Sequence, residues 1–213
     1  MKNLSRVVSR WALACSMFVG IAVAVGAFWG APGFAQNLRG RVRWDIVSFS
    51  SLSPPTLVPG GTASALAADG SMITVTGRGT FVATPGARFS AIATSGSGTW
   101  QTFDPTGAST GTGTYQVLSG PGTFQPASGS LPAAIVDQIA EKEDVRAGLA
   151  RFDIQYSDGS RGWLVVSCFL PIGSPSTIVE GVTASKGFVD YWNVVPSVDS
   201  VPGTGLTLFH VVD

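Results

Sequence analysis

The stretch Gly96-Ser97-Gly98-Thr99-Trp100 is one of four copies of a five-residue phrase: glycine, any residue, glycine, threonine and an aromatic residue. Successive copies begin 19, 15 and 9 residues apart, which is too irregular for a solenoid or propeller of fixed period. This spacing suits successive strands of an antiparallel meander. The four copies are Gly77–Phe81, Gly96–Trp100, Gly111–Tyr115 and Gly120–Phe124.

Alternation along a strand places both glycines and the aromatic residue of each phrase on one face of the sheet. Glycine inside a strand marks a bulge, a bend or a close approach. An aromatic ring on the neighbouring strand can cover the bare glycine backbone. The phrase therefore predicts a strongly curved sheet in an all-β fold, a small antiparallel β-barrel, with a two-sheet β-sandwich as the alternative.

Two Asp-Gly pairs predict tight hairpin turns. Asp69-Gly70 separates predicted strands at Thr62–Ala67 and Met72–Thr76, and Asp158-Gly159 separates Leu149–Tyr156 from Trp163–Phe169. Further strands are predicted at Arg41–Phe49, Ala91–Phe103, Thr112–Leu118, Ile178–Trp192 and Leu206–Val212.

One short helix is predicted after Pro132, which can occupy a first helical turn. Asp137 and Glu141 lie four residues apart on its polar side, and we interpret them as like charges on a solvated face and not as a cation site. The apolar stripe of this helix consists of Ile135, Val136, Ile139 and Ala140.

Residues 1–35 predict a secretory signal peptide, because Lys2, Arg6 and Arg10 precede an uncharged apolar run and small residues precede a cut after Ala35. An uncleaved anchor is the alternative, since the run of 19 residues would span about 28 Å as a helix. We expect cleavage, because no charge cluster follows the run. A single β-rich domain over residues 36–213 would then be secreted or periplasmic, with no remaining segment apolar enough to span a membrane.

The expected mature chain carries little charge. Cleavage removes three cations and leaves 10 basic against 13 acidic residues, a net charge of −3. Without a basic patch, nucleic acid is not an expected partner. Cys168 becomes the only cysteine, so no intrachain disulfide is expected, and its apolar neighbours predict a buried, inert thiol. The oligomeric state stays open.

Motifs for catalysis and metal binding are weak. Gly107-Ala108-Ser109-Thr110-Gly111 matches a nucleophile-elbow pattern, but it follows a polar loop and does not open a helix. His210 is the only histidine, and no cysteine cluster accompanies it, so neither a metal site nor a cofactor is predicted. We expect His210 to lie on the surface or on an edge strand.

Glu180, Lys186 and Asp190 are the weak catalytic candidates. Their even numbers place them on one face of an unbroken strand, together with Trp192, unless a bulge at Gly187 breaks the register. On the inner face of a barrel these groups could act as acid and base if burial shifts their pKa values. An outward polar face with weak ion pairs is the plainer alternative.

Four aromatic residues are the ligand-binding candidates. They could form a surface on which a small apolar or carbohydrate ligand stacks. Packing inside a barrel opposite glycine is the structural alternative, and we favour it. The four residues are Trp100, Trp163, Trp192 and Tyr115.

Two resemblances accompany these motifs. The phrase Gly111-Thr112-Gly113-Thr114-Tyr115 and its companions resemble strand phrases of the dirigent and allene oxide cyclase barrel superfamily. This resemblance implies a small antiparallel barrel around a cavity for apolar molecules, but none of the superfamily's catalytic residues can be placed here. Tyr156–Ser160 and Lys186–Trp192 resemble stretches of uncharacterised exported bacterial β-proteins, which implies export and a β fold but no activity.

Three functions are compatible with these features. The first is an exported, non-enzymatic barrel that binds a small apolar or carbohydrate ligand or a surface partner. The second is a cofactor-free cyclase or isomerase that uses Glu180, Lys186 or Asp190 in a cavity. The third is a structural protein of the cell envelope with a filled interior.

Overall fold

A computed structural model describes residues 40–83, 91–120, 122–127, 129–196 and 204–212. The predicted signal peptide and its cleavage position lie outside these residues. Within them the fold is all-β, as predicted, and no helix reaches seven residues. The strands are β1 Gly40–Leu52, β2 Pro55–Pro59, β3 Ala63–Ala67, β4 Met72–Val75, β5 Arg78–Ala83, β6 Ala91–Phe103, β7 Ser109–Val117, β8 Thr123–Ala127, β9 Val136–Asp137, β10 Val145–Tyr156, β11 Arg161–Cys168, β12 Gly181–Lys186, β13 Val189–Val194 and β14 Leu206–Val212.

Ten of these strands pair into a closed ring of antiparallel neighbours. The order around the ring is β11, β12, β13, β3, β4, β6, β5, β1, β14 and β10, and β10 pairs again with β11. β7 pairs with both β6 and β10 and so divides the ring into two circuits. This closure leaves few unpaired strand edges, which is the physical advantage of closing a sheet.

The glycine phrases Gly96–Trp100 and Gly111–Tyr115 are extended within β6 and β7, and their rings share a face with their glycines, whereas Gly120 of the fourth phrase lies in a bend before β8. In β6, Trp100 is buried while the flanking Thr99 is exposed, and Tyr115 in β7 repeats this alternation. The phrases also interlock, because Gly98 pairs with Tyr115 and Trp100 pairs with Gly113. The ring of one phrase thus covers the glycine of the next, as the alternation predicts.

Trp44 makes close contacts of this kind with two glycines. Its register partner on β5 is Gly79, which in turn pairs with Gly96 on β6. A Cβ atom at Gly96 would lie 2.6 Å from Cζ2 of Trp44, and one at Gly79 would lie 2.7 Å from Nε1. Only glycine at both positions lets the indole lie flat on two strands, and there the sheet curves around the ring.

Both predicted Asp-Gly hairpins are confirmed. Gly70 between β3 and β4 and Gly159 between β10 and β11 have positive φ values of +85° and +86°. In each turn the aspartate Oδ1 accepts the backbone N–H two residues later, at 2.9 Å for Asp69 and 3.0 Å for Asp158. This local bond stabilises the turn before any tertiary contact forms.

The predicted helix after Pro132 is wrong. Within the described residues the only helical turn there is a 3-10 turn at Lys142–Asp144, and β9 pairs in parallel with β2. Residues 129–144, here called the strap, bury Leu131 and Ile135 in the hydrophobic core. The apolar spacing reflects this docking, and tertiary contacts override the local helical pattern.

The contact between Trp44 and the glycines generates a stability prediction. The change Gly96→Ala places Cβ against the indole at a φ of +155° and should cost about 1–3 kcal/mol by overpacking. Gly120→Ala is the matched control, because nothing lies within 4 Å of its Cβ position. Urea unfolding of both variants measures the difference. Equal stabilities would contradict this account of the curved sheet.

Candidate functional site

Two of the four candidate aromatic residues lie inside the fold. Trp100 is 5% exposed and Tyr115 is 1% exposed. Trp100 Nε1 donates to the Thr114 carbonyl oxygen at 3.1 Å, and the Tyr115 hydroxyl donates to the Thr76 carbonyl oxygen at 2.8 Å. Burial raises the pKa of Tyr115 well above its usual value. Their polar atoms are satisfied by backbone, so both residues serve packing.

Lys186 meets Trp100 in a compact group, here called the lysine cluster. Its Nζ lies 4.3 Å from the centre of the Trp100 ring and 5.1 Å from that of Tyr156, and it forms an ion pair with Asp158. It also donates to Ser160 Oγ at 3.1 Å. The hydrogen bond from Lys186, followed by that from Ser160, lowers the pKa of Asp158 to about 2. The lysine ammonium is therefore engaged on every side and joins the β10–β11 turn to β6.

Glu180 lies just before β12, whereas Lys186 ends that strand. The Glu180 Oε2 atom accepts the N–H groups of Phe169 and Leu170, at 2.5 and 2.8 Å. Its Oε1 accepts the backbone N–H and the hydroxyl of Thr207, at 2.6 and 3.0 Å. Burial raises the pKa of Glu180 to about 7, although these donors act to lower it. Glu180 thereby ties the end of β11 to β14.

The three catalytic candidates do not meet. Six residues separate Glu180 from Lys186, which corresponds to roughly 20 Å along an extended strand. Gly187, with a φ of +60°, turns the chain between β12 and β13, so the expected continuous strand is broken. Asp190 lies exposed on β13 opposite Ser185, while the neighbouring Tyr191 is buried. Its carboxylate therefore projects outward, away from the core.

The other two candidate aromatic residues meet outside the ring of strands. The Trp163 and Trp192 ring centroids lie 4.8 Å apart at an interplanar angle of 43°, and Trp192 is 61% exposed. The two residues stand on β11 and β13, on either side of β12, whose outward residues Thr183 and Ser185 are small. We call Trp163, Thr183, Ser185, Asp190 and Trp192 the tryptophan face.

The small residues on β12 explain why the two rings can meet. Val165 pairs with Thr183 and Ala184 pairs with Tyr191, which aligns Thr183 with Trp192 and Ser185 with Trp163. Larger side chains on β12 would separate the indoles. The Ser185 hydroxyl accepts the backbone N–H of Trp163 at 3.1 Å, so it fixes that strand locally. The result is a pair of outward indoles in contact, beside the exposed apolar residues Phe188 and Val189 at the β12–β13 turn.

His210 is not the surface or edge-strand residue that the sequence predicts. It is fully buried on β14, which pairs with β1 on one side and with β10 on the other. Its Nε2 lies 2.7 Å from Oδ2 of Asp137 on the strap, and its Nδ1 makes no hydrogen bond within the described residues. Asp137, predicted on a solvated helix face, is 1% exposed.

An ion pair lies beside this contact, between the buried Asp45 and the partly exposed Arg43. Arg43, the register partner of His210, donates from Nε and one terminal nitrogen to both oxygens of Asp45, at 2.7 and 2.8 Å. Its other terminal nitrogen reaches the Ile139 carbonyl oxygen of the strap at 3.4 Å. These bonds hold the strap on the outer face of β1 and β14, and burial keeps them out of reach of a substrate.

The pKa of Asp137 reflects its hydrogen bond with His210. Burial alone would raise its pKa, but the hydrogen bonds from His210 and from the Ile139 N–H lower it below the ordinary value of 3.8.

Sequence reasoning could have found Arg43 and Asp45, because opposite charges two residues apart share a strand face. It could not have paired Asp137 with His210, which lies 73 residues away.

The described part of the chain contains neither a candidate metal centre nor a helix that could cross a membrane. No group of three or more histidine, cysteine or carboxylate residues is arranged to hold a metal ion. None of the helical segments has the length and apolar character that a membrane crossing requires.

Comparison with known proteins adds no assignment. No family model, no curated protein and no solved structure matches the chain. The tryptophan face is therefore a candidate site on the basis of its geometry alone.

The strap contact generates a stability and pH prediction. Asp137→Ala removes the hydrogen-bond partner of the buried His210 and should cost about 1–3 kcal/mol. Because the folded-state pKa of Asp137 lies below 3.8, its contribution is complete above that pH and is lost as the pH falls through the lowered value. The difference from wild type should therefore shrink on acidification.

Denaturant unfolding between pH 3 and pH 7 measures this effect. Asp153→Ala is the control, since it removes an exposed ion pair with Arg151 and should cost at most about 1 kcal/mol. Equal costs for the two variants would show that the strap is not held by Asp137.

Proposed function

We propose that this chain is an exported protein that binds carbohydrate on its tryptophan face. The observation that carries the proposal is the pair of indoles outside the ring of strands, 4.8 Å apart, of which Trp192 is 61% exposed. Exposed aromatic residues in contact with each other leave apolar area in water that a ligand can cover. Tryptophan supplies that area at low conformational cost.

The chemistry of the tryptophan face suits a sugar. One face of a sugar ring presents C–H groups, which pack on the electron-rich face of an indole, while its hydroxyl groups point outward and need hydrogen-bond partners. The exposed carboxylate of Asp190 stands next to Trp192 and can accept such hydroxyl protons. An aromatic floor with a polar rim therefore matches both sides of a sugar ring.

The interior favours this surface over a central ligand site. Trp44 stacks on Phe152 with ring centroids 5.2 Å apart, and Phe124 contacts Phe81 at 4.9 Å and Phe209 at 5.1 Å. These inward rings are engaged with one another. The separation of Glu180, Lys186 and Asp190 likewise gives no support to a barrel cyclase or isomerase. The third hypothesis, an envelope protein, is compatible with glycan binding.

Export is part of the proposal and rests on residues 1–35. If a signal peptidase cuts after Ala35, the mature protein begins at Gln36. Expression in a bacterial host followed by fractionation should place the protein in the periplasm or the medium. N-terminal sequencing and the intact mass then identify the first residue. A cytoplasmic, full-length product would contradict export.

The binding prediction concerns Trp192. Trp192→Ala should weaken saccharide binding about 30-fold, the loss of a hot-spot contact of about 2 kcal/mol, with stability unchanged within about 0.5 kcal/mol. Ile172→Ala is the matched control, because Ile172 is equally exposed, at 63%, but lies in the β11–β12 connection.

Calorimetry and tryptophan fluorescence with oligosaccharides measure the affinity. The panel contains neutral, amino and acidic sugars of equal length, so it spans the charge classes of glycans. Failure of the wild-type protein to bind any of them below millimolar concentration refutes the proposal. Equal affinity of the Trp192→Ala and wild-type proteins would place the binding elsewhere.

A further inference from the structure

The lysine cluster shows how this protein holds an ammonium group. Two aromatic rings, Trp100 and Tyr156, lie 4.3 and 5.1 Å from Lys186 Nζ, and the Asp158 carboxylate completes the contact. Attraction between a cation and the faces of aromatic rings supplies part of this interaction, and the opposite charge supplies the rest.

The tryptophan face has the same kinds of group on the outer surface, namely two aromatic rings and a carboxylate. Trp163 and Trp192 provide two tilted rings, and Asp190 stands two residues from Trp192 on the same outward side of β13. Asp190 forms no ion pair with any described residue. Two rings and a free carboxylate therefore lie together, and none of the described cations pairs with that carboxylate.

Distances along the sheet decide which charge acts on a ligand at Trp192. Asp190 lies two residues away, about 7 Å at strand spacing. Arg161 lies two residues from Trp163 on the same outward side of β11, about 7 Å, but about four residues along the strands from Trp192, roughly 13 Å. Arg151 stands three strands away, about 14 Å, and is paired with Asp153. Salt screens charges beyond about 8–10 Å, so the carboxylate dominates.

Two further charges lie near this strand. Lys186, the register partner of Val189, is paired with Asp158. Burial raises the pKa of Tyr191, and the negative charge of Asp69 in the β3–β4 turn adds to this shift. On the β3 side, the outward neighbour of Asn193 is Leu66, which carries no charge. At Trp192 itself the nearest charge is therefore the Asp190 carboxylate, whereas the exposed Arg161 lies beyond Trp163 on β11.

We infer that the tryptophan face selects cationic sugars, namely glycans with free amino groups, over neutral and acidic glycans. This inference rests on the proposed function. The sugar ring stacks on Trp192, and its ammonium group lies beside Asp190 and the indole faces. Acidic sugars are disfavoured, because their carboxylates would face Asp190.

The experiment compares three oligosaccharides of equal length: a glucosamine oligomer, its N-acetylated counterpart and a galacturonic acid oligomer. We expect the glucosamine oligomer to bind at least about tenfold more tightly than the acetylated one, with the galacturonic acid oligomer weakest. The preference should decrease with added salt and at a pH at which the sugar amines are neutral.

Asp190→Asn tests the assigned charge. This exposed change should preserve folding and reduce the preference for glucosamine to about threefold or less. Glu143→Gln, an exposed carboxylate on the strap, is the matched control and should leave the preference unchanged.

The outcomes separate the two proposals. Equal binding of the charged and acetylated oligomers, or an Asp190→Asn variant that keeps the full preference, overturns the selectivity while glycan binding stands. If none of the three oligomers binds, the proposed function fails as well.

Discussion

The close contact between glycine backbone and aromatic ring is the interaction on which this structure depends. Trp44 covers Gly79 and Gly96, and Tyr115 covers Gly98 on the strand beside it. Each contact removes the space that a Cβ atom would occupy and brings a large ring against bare backbone. Repeated from strand to strand, it bends the sheet until the strands close into a ring, because a side chain at any of these positions would push neighbouring strands apart.

Aromatic residues have two different roles here, and burial distinguishes them. Trp100 and Tyr115 donate to backbone carbonyl groups and belong to the interior. Trp163 and Trp192 stand outside and contact each other over the small side chains of β12. The inner rings define the shape of the sheet, so they are not free for a ligand. The outer pair is exposed to solvent, and the proposed glycan binding rests on this exposure.

Buried polar side chains connect the strap and the β11–β12 connection to the sheet. Glu180 accepts backbone N–H groups near β11 and β14, and the pairing of His210 with Asp137 holds the strap against the outer face of the sheet. Buried charges are stable only when paired and hydrogen-bonded, so each group fixes the position of its partner. These contacts connect segments that have little regular structure of their own.

The sequence by itself determined the all-β class, the Asp-Gly hairpins and the side of the strand to which the glycine phrases of β6 and β7 project, because alternation and turn chemistry act over a few residues. Only the tertiary structure decided that Trp163 and Trp192 face outward and meet, since both were aromatic residues on predicted strands with no local signal for their exposure. It also replaced the predicted helix by the strap and buried His210. The physical reason is that Asp137 and His210, or Trp163 and Trp192, become neighbours only through pairings between distant strands, and local periodicity carries no information about such pairings.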